Sequence, residues 1–227
     1  MDSRRRVQRT LAFEEVDRPP RDLWVLPEAA TLCLRELEEV RRKYPPDFAA
    51  PRFRYGRGRR QRGEAGKEGA YVVAWGSVWQ VLQPGSTGQV KEFPLSDWQR
   101  LHTYKVPWEL LEEADFSQVD ESCGQSRRYI LARTQISPFE RMQFLRGTEK
   151  LLLDLAYGGK EVYTLRDMLH EFFLREAELW ARTAVDGVSF LDDWGSQTAM
   201  LISPALWRAF FKPRSEERRV GKECRSR

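Results

Sequence analysis

Histidine and cysteine are scarce in this chain, with two of the first and three of the second among 227 residues. Cys33, Cys123 and Cys224 are too few and too scattered for a disulfide framework. No Cys-x-x-Cys or His-x-Cys pair occurs, so no zinc-ligand spacing is present. No apolar run reaches the roughly 18 residues of a membrane-spanning helix. The arginine-rich start lacks the apolar stretch of a secretory signal, which makes the cytoplasm the expected compartment. No glycine is followed at the right spacing by Gly-Lys-Ser/Thr, so a phosphate loop is excluded. A real excess of positive charge is missing too. The formal net charge is +4, but residues 214–227 hold six Lys/Arg and three Glu. That leaves 32 Lys/Arg against 31 Asp/Glu, or +1, over residues 1–213. A nucleic-acid partner has no support in so balanced a chain.

Hydrophobic residues make up 41% of the chain, enough for one ordinary domain with a core. Asp2 or Ser3 can cap a short helix carrying Val7 and Leu11, which ends at Asp17-Arg-Pro-Pro20. Asp22–Leu26 reads as a first strand. Residues 28–43 read as a helix on which Leu32, Cys33, Leu37 and Val40 share a face, so Cys33 is expected in the core. Residues 47–51 read as a second strand or its lead-in, and Tyr129–Thr134 as a third. Ser137-Pro-Phe-Glu140 has the pattern of a capping box, with about 1 kcal/mol expected from Ser137. Helical spacing follows to Leu155 with a break near Gly147, and again from about 161 to 184 through Val162, Leu165, Leu169, Phe172, Phe173 and Trp180. His170 on that helix is expected at the solvent side or core edge. Strand and helix alternate, which calls for a parallel sheet.

Two stretches interrupt that pattern. Residues 54–69 are rich in arginine and glycine. They suit a surface insertion, with a phosphate- or RNA-binding loop as the sharper alternative. Residues 70–82 are dense in aromatic and β-branched side chains. They suit either a strand with a ligand-facing turn, or a hairpin closed by Pro84–Gly88 against Gln89–Glu92. Trp75 and Trp79 there are candidates for a pocket wall or for packing. Residues 117–128 read as a polar connection.

The most informative stretch is Val185 to Pro213. Val185, Val188, Phe190 and Leu191 favour a fourth strand. Asp192, Asp193, Trp194 and Gln197 follow at its carboxyl end, where parallel α/β folds meet their ligands. Adjacent aspartates point to opposite sides of a strand, so one can face a ligand while the other supports a loop or pairs with Arg133. Trp194 and Gln197 offer a flat wall and an amide.

The segments SRRRVQRTLAFEEVDRPPRDLW (3–24), ISPFERMQFLRGTEKLLLDL (136–155) and DDWGSQTAMLISPALWRAFFKP (192–213) resemble the uroporphyrinogen decarboxylase superfamily. The resemblance implies an α/β fold, the amino-terminal part of a (β/α)8 TIM-type barrel with about four strands over residues 1–213. Residues 214–227 resemble the peptide encoded by a sequencing adapter and are set aside as a non-native tail, Cys224 included. A half barrel leaves sheet edges open, which favours poor solubility or a homodimer.

The resemblance also implies an enzyme. Asp192 and Asp193 are its candidate catalytic residues, and Trp194, Gln197, Trp75, Trp79 and Arg133 its candidate substrate contacts. The methyltransferase-like branch implies a small methylated substrate, a corrinoid protein or thiol acceptor, and zinc held in the half of the barrel outside this chain. The decarboxylase branch needs no cofactor. Its relatives carry an arginine-containing segment after strand one, where this chain has Val25-Leu-Pro-Glu-Ala29. They also carry a serine at the place of Asp193, and an aspartate there would repel a polycarboxylate. Methyl transfer is therefore the expected reaction, uroporphyrinogen decarboxylation the alternative, and a non-catalytic binding protein on the same fold a third reading.

Overall fold

A computed structural model describes residues 1–214. The chain opens with α1 (Ser3–Leu11), capped by Asp2, whose carboxylate accepts the Arg5 amide at 2.8 Å. There follow α2 (Pro27–Leu32), α3 (Leu34–Lys43), β1 (Phe48–Ala49), β2 (Gly69–Val72), β3 (Val78–Val81) and β4 (Gln89–Glu92). After a 3-10 turn at Trp98–Thr103 come α4 (Glu109–Glu112), α5 (Val119–Gln125), β5 (Tyr129–Arg133), α6 (Pro138–Arg146), α7 (Thr148–Tyr157), α8 (Lys160–Trp180), β6 (Gly187–Ser189) and α9 (Pro204–Phe210).

The fold is mixed α/β with two small sheets. One is parallel in the order β1-β5-β6, pairing Phe48 with Tyr129 and Ala132 with Val188. The other is antiparallel in the order β2-β3-β4, with Tyr71 opposite Trp79. The 70–92 region thus takes its hairpin form, turning through Pro84–Gly88. The described residues form no closed barrel.

Several expectations change. Residues 22–26 form no strand. The Asp22 carboxylate instead accepts the Leu23 amide at 3.0 Å and the Trp24 indole at 2.7 Å, local bonds that compete with a ladder. The helix expected over 28–43 breaks at Cys33, and Cys33 is exposed. Its apolar face meets no core, for Leu32, Leu34 and Val40 are exposed as well. The polar 117–128 connection contains α5, which buries Val119 and Cys123 against Ile130, Ala132 and Trp180. His170 is buried.

The Arg-Gly stretch at 54–69 is tied down. Arg60 donates to the carbonyls of Lys105 and Ala74, and Arg59 gives its amide to Glu109 at 2.9 Å. A Cβ on Gly56 would lie 2.1 Å from the Glu109 carbonyl oxygen. Glycine is there for close approach of two backbones, which needs no nucleic acid. The tail expectation for 214–227 falls outside the described residues except at Arg214, whose guanidinium meets Asp167 at 2.9 Å.

The main core gathers around α6, α7 and α8, with Phe139, Leu145, Leu165, Leu169 and Phe172 all fully buried. Helix α1 lies across the amino end of the parallel sheet and makes two ion pairs there. Arg4 reaches Asp186, just before β6, at 3.0 Å. Arg6 reaches Asp47, just before β1, at 2.6 Å. Asp47 is fully buried and also accepts Arg18 at 2.7 Å and the Arg21 amide at 2.7 Å. Burial alone would raise its pKa. Hydrogen bonds from Arg18, Ser3, the Arg21 amide and Arg6 outweigh that and hold the carboxyl well below the usual range.

Asp47→Asn strands two guanidinium groups beside a neutral amide, and is expected to cost about 3–5 kcal/mol in denaturant unfolding at pH 7. The depressed pKa gives stability that is full above the unfolded value of about 3.9 and lost as pH falls through the folded one. The difference between the two proteins should therefore shrink in acid.

Candidate functional site

The residues expected from sequence sit around the carboxyl end of the parallel sheet, with unequal tasks. Asp192 accepts the amides of Phe139 at 2.9 Å and Glu140 at 3.0 Å. It thus caps α6 from the end of β6, and Ser137 makes no side-chain capping bond. The first amides of an α-helix have no intrahelical partners, and a carboxylate is a stronger acceptor for them than serine. Asp193 turns the other way and accepts the Gly195 amide at 3.2 Å. Trp194 stacks on Phe139, with centroids 4.5 Å apart and planes 4° from parallel, and meets Phe211 edge-on. Gln197 is exposed in a turn. Arg133 is exposed, its guanidinium 5.6 Å from the Trp24 ring. Trp79 packs on Phe144 and stacks with Tyr71 across the antiparallel sheet.

Trp75 connects to a group that sequence reasoning missed. Its indole is fully buried and donates to the Gln135 side-chain oxygen at 2.9 Å. The Gln135 amide donates at 2.6 Å to Glu176 on α8. The same carboxylate oxygen accepts the Tyr55 hydroxyl. Tyr55 follows β1 and Gln135 follows β5, so Glu176 ties together the carboxyl ends of two parallel strands. Glu176 is itself fully buried, and its second oxygen has no hydrogen-bond partner.

Burial pushes the Glu176 pKa up to about 7, against the opposing pull of Tyr55 and the Gln135 amide. Tyr55 is raised by burial and then by the Glu176 charge. The Tyr55 hydroxyl also lies 2.9 Å from the Arg133 carbonyl oxygen. One hydroxyl hydrogen cannot serve both acceptors. With Glu176 protonated, the carboxyl donates to Tyr55 and Tyr55 donates to Arg133, so both contacts are made. With Glu176 ionised, Tyr55 turns its proton to the carboxylate. The protonation state of Glu176 therefore sets which way the Tyr55 hydroxyl points.

Arg141, on the first turn of α6, lies with its guanidinium 5.2 Å from the Trp75 ring and 5.7 Å from Phe144. Burial pushes its pKa down to about 10, opposed by Tyr104 and Glu140. Tyr104 donates to the Trp75 carbonyl at 2.7 Å and carries Arg60 over its ring at 5.3 Å. Beyond β1, Arg52, Phe53, Arg54, Asp115 and Gln118 line a cleft of about 290 Å³. The Phe53 ring meets both Tyr55 and Trp180.

The signal for Glu176 was present in the helical spacing. It stands four residues from Phe172 and four from Trp180, in the middle of the apolar stripe, where a carboxylate has no business unless it is paired. No group of three or more His, Cys, Asp or Glu that could hold a metal ion occurs among the described residues. No protein-family model, curated protein or solved structure matches the chain. The superfamily resemblance rests on the three sequence segments that carry it.

Two measurements follow from this geometry. Asp192→Ala is expected to cost about 1–2 kcal/mol in chemical denaturation, while Ser137→Ala stays within a few tenths. Equal losses would return the cap to Ser137. Glu176 has a folded pKa above its unfolded value of about 4.3. Its contribution is full below that value and lost as pH rises through 7, by about 3 kcal/mol at most. Between pH 5 and 8 the wild type should therefore lose stability relative to Glu176→Gln, which keeps a carbonyl acceptor for Tyr55 and Gln135.

Proposed function

We propose that this chain is part of a uroporphyrinogen decarboxylase-superfamily enzyme that works on a small molecule at the carboxyl end of its parallel sheet. The described strands would be units of a (β/α)8 barrel, a reading supported by the open edges of β1 and β6. The observation that carries a catalytic reading is Glu176. A buried carboxyl titrating near neutrality, in contact with a tyrosine at the strand ends, is suited to taking and returning a proton.

The reaction we favour is methyl transfer to a thiol or corrinoid acceptor. A thiol must lose its proton before it attacks, and the Glu176–Tyr55 pair gives that proton a place to go. Asp193, and the lack of arginine over Val25–Ala29, count against a polycarboxylated tetrapyrrole. Asp192 and Trp194 shape this end of the sheet by fixing α6. In the family, zinc belongs to the other half of the barrel, so no step here is routed through it.

A barrel site draws on several strand ends, so turnover is expected only with all eight units present. Long-range amplification of the source DNA across codons 205–227 supplies the reading frame. Its product, mixed with methylcobalamin and small thiols, is expected to yield demethylated corrinoid and a methyl thioether, at least tenfold more slowly after Glu176→Gln. Uroporphyrinogen decarboxylation without methyl transfer would replace this reading with the older branch of the superfamily.

A further inference from the structure

Arg141 stands out among the buried and half-buried arginines. Arg6, Arg18, Arg146 and Arg166 each bond carboxylates or carbonyls. The guanidinium of Arg141 has aromatic rings on two sides and no hydrogen-bond or ion-pair partner among the described residues. Its Nε is fully buried without an acceptor. An arginine carries five donors, and a buried Nε left unmet is costly.

A second donor is fixed to the same indole. Trp75 can only donate, so the Gln135 side chain must turn its oxygen to the ring. Its NH2 group therefore faces away from the ring, and no described residue accepts from it. The Gln135 backbone is held in turn by Glu176.

We infer that Arg141 and the Gln135 amide form an oxyanion-binding site, taking the carboxylate or phosphate group of a small ligand. Both are donors, both are positioned through Trp75, and neither has a protein acceptor. A planar carboxylate matches the fork of a guanidinium, and a phosphate does so equally well. The inference rests on the placement of the ligand site at the carboxyl end of the sheet, and not on which reaction occurs there.

The test uses the 227-residue chain with three probes: inorganic phosphate, propionate and its neutral isostere propionamide. Calorimetry is expected to show binding of phosphate, propionate or both, with propionamide at least tenfold weaker. The preferred anion tells a phosphorylated ligand from a carboxylated one. Each binding anion should raise the melting temperature of the wild type and leave that of Arg141→Met unmoved. Without anion, Arg141→Met should melt no lower than wild type, because it removes a desolvated charge. A purely structural arginine would instead lower the melting temperature with or without anion. Should Arg141→Met fail to fold, wild-type protein treated with phenylglyoxal decides the matter. The bound anion should protect Arg141, as mapped by mass spectrometry. Binding that survives Arg141→Met, equal binding of propionamide, or no protection of Arg141 overturns the inference. Anion binding without turnover of the full reading frame would leave it standing and remove the proposed reaction.

Discussion

A carboxylate with no solvent contact, Asp47, decides where the first fifty residues go. It lies just before β1 and takes one arginine from α1, another from the stretch after it, and a backbone amide from Arg21. A buried charge of this kind tolerates few arrangements, because each lost partner leaves desolvated charge behind. The segment before β1 holds little apolar surface in contact with the core, since Leu11, Trp24, Leu26 and Leu32 are exposed. Its position therefore depends on ionic bonds more than on packing. Asp186 repeats the device before β6, with Arg4 of the same helix and the Ile130 amide as partners.

These two aspartates give the parallel sheet a polarity beyond its strand direction. At the amino end, every prominent charge has its counter-charge, and α1 closes the surface. At the carboxyl end, one oxygen of Glu176 and the Nε of Arg141 are buried and left unmet. Unmet groups weaken a fold, and proteins keep them where a ligand or a proton supplies what is missing. On the proposed reading, stability and function occupy opposite ends of the same three strands.

Legibility followed the range of the forces involved. The α8 stripe, the breaks at Gly147 and Gly158, the β5 strand and the Pro-Gly hairpin were readable because each depends on neighbours a few residues away. Ser137-Pro-Phe-Glu also looked local, yet its cap comes from Asp192, more than fifty residues on. Spacing cannot reveal a partner that distant. The 28–43 helix shows the converse failure. Its periodicity is real, but periodicity states only that a face exists, and here the described residues bring nothing to cover it. Sequence pointed to Asp192 and Trp194, which lie at the carboxyl end of the parallel sheet. It did not point to Tyr55, Gln135 and Arg141, which separate segments bring to Glu176 and to the Trp75 indole.

Glu176 shows how such a site is sustained. An apolar residue in its place would pack with Phe172 and Trp180 and spare the desolvation of a carboxyl. Instead the helix carries an acid whose charged form costs stability above neutral pH. That cost is bounded, because Tyr55 and the Gln135 amide meet one oxygen and protonation of the carboxyl removes the charge. The same bonds fix Gln135, Gln135 fixes the Trp75 indole, and the indole carries Arg141 on its face. A change at Glu176 therefore reaches the guanidinium through two hydrogen bonds and one ring, without crossing solvent. Removing the acid would relax the core and loosen the positioning of every polar group at the carboxyl end together.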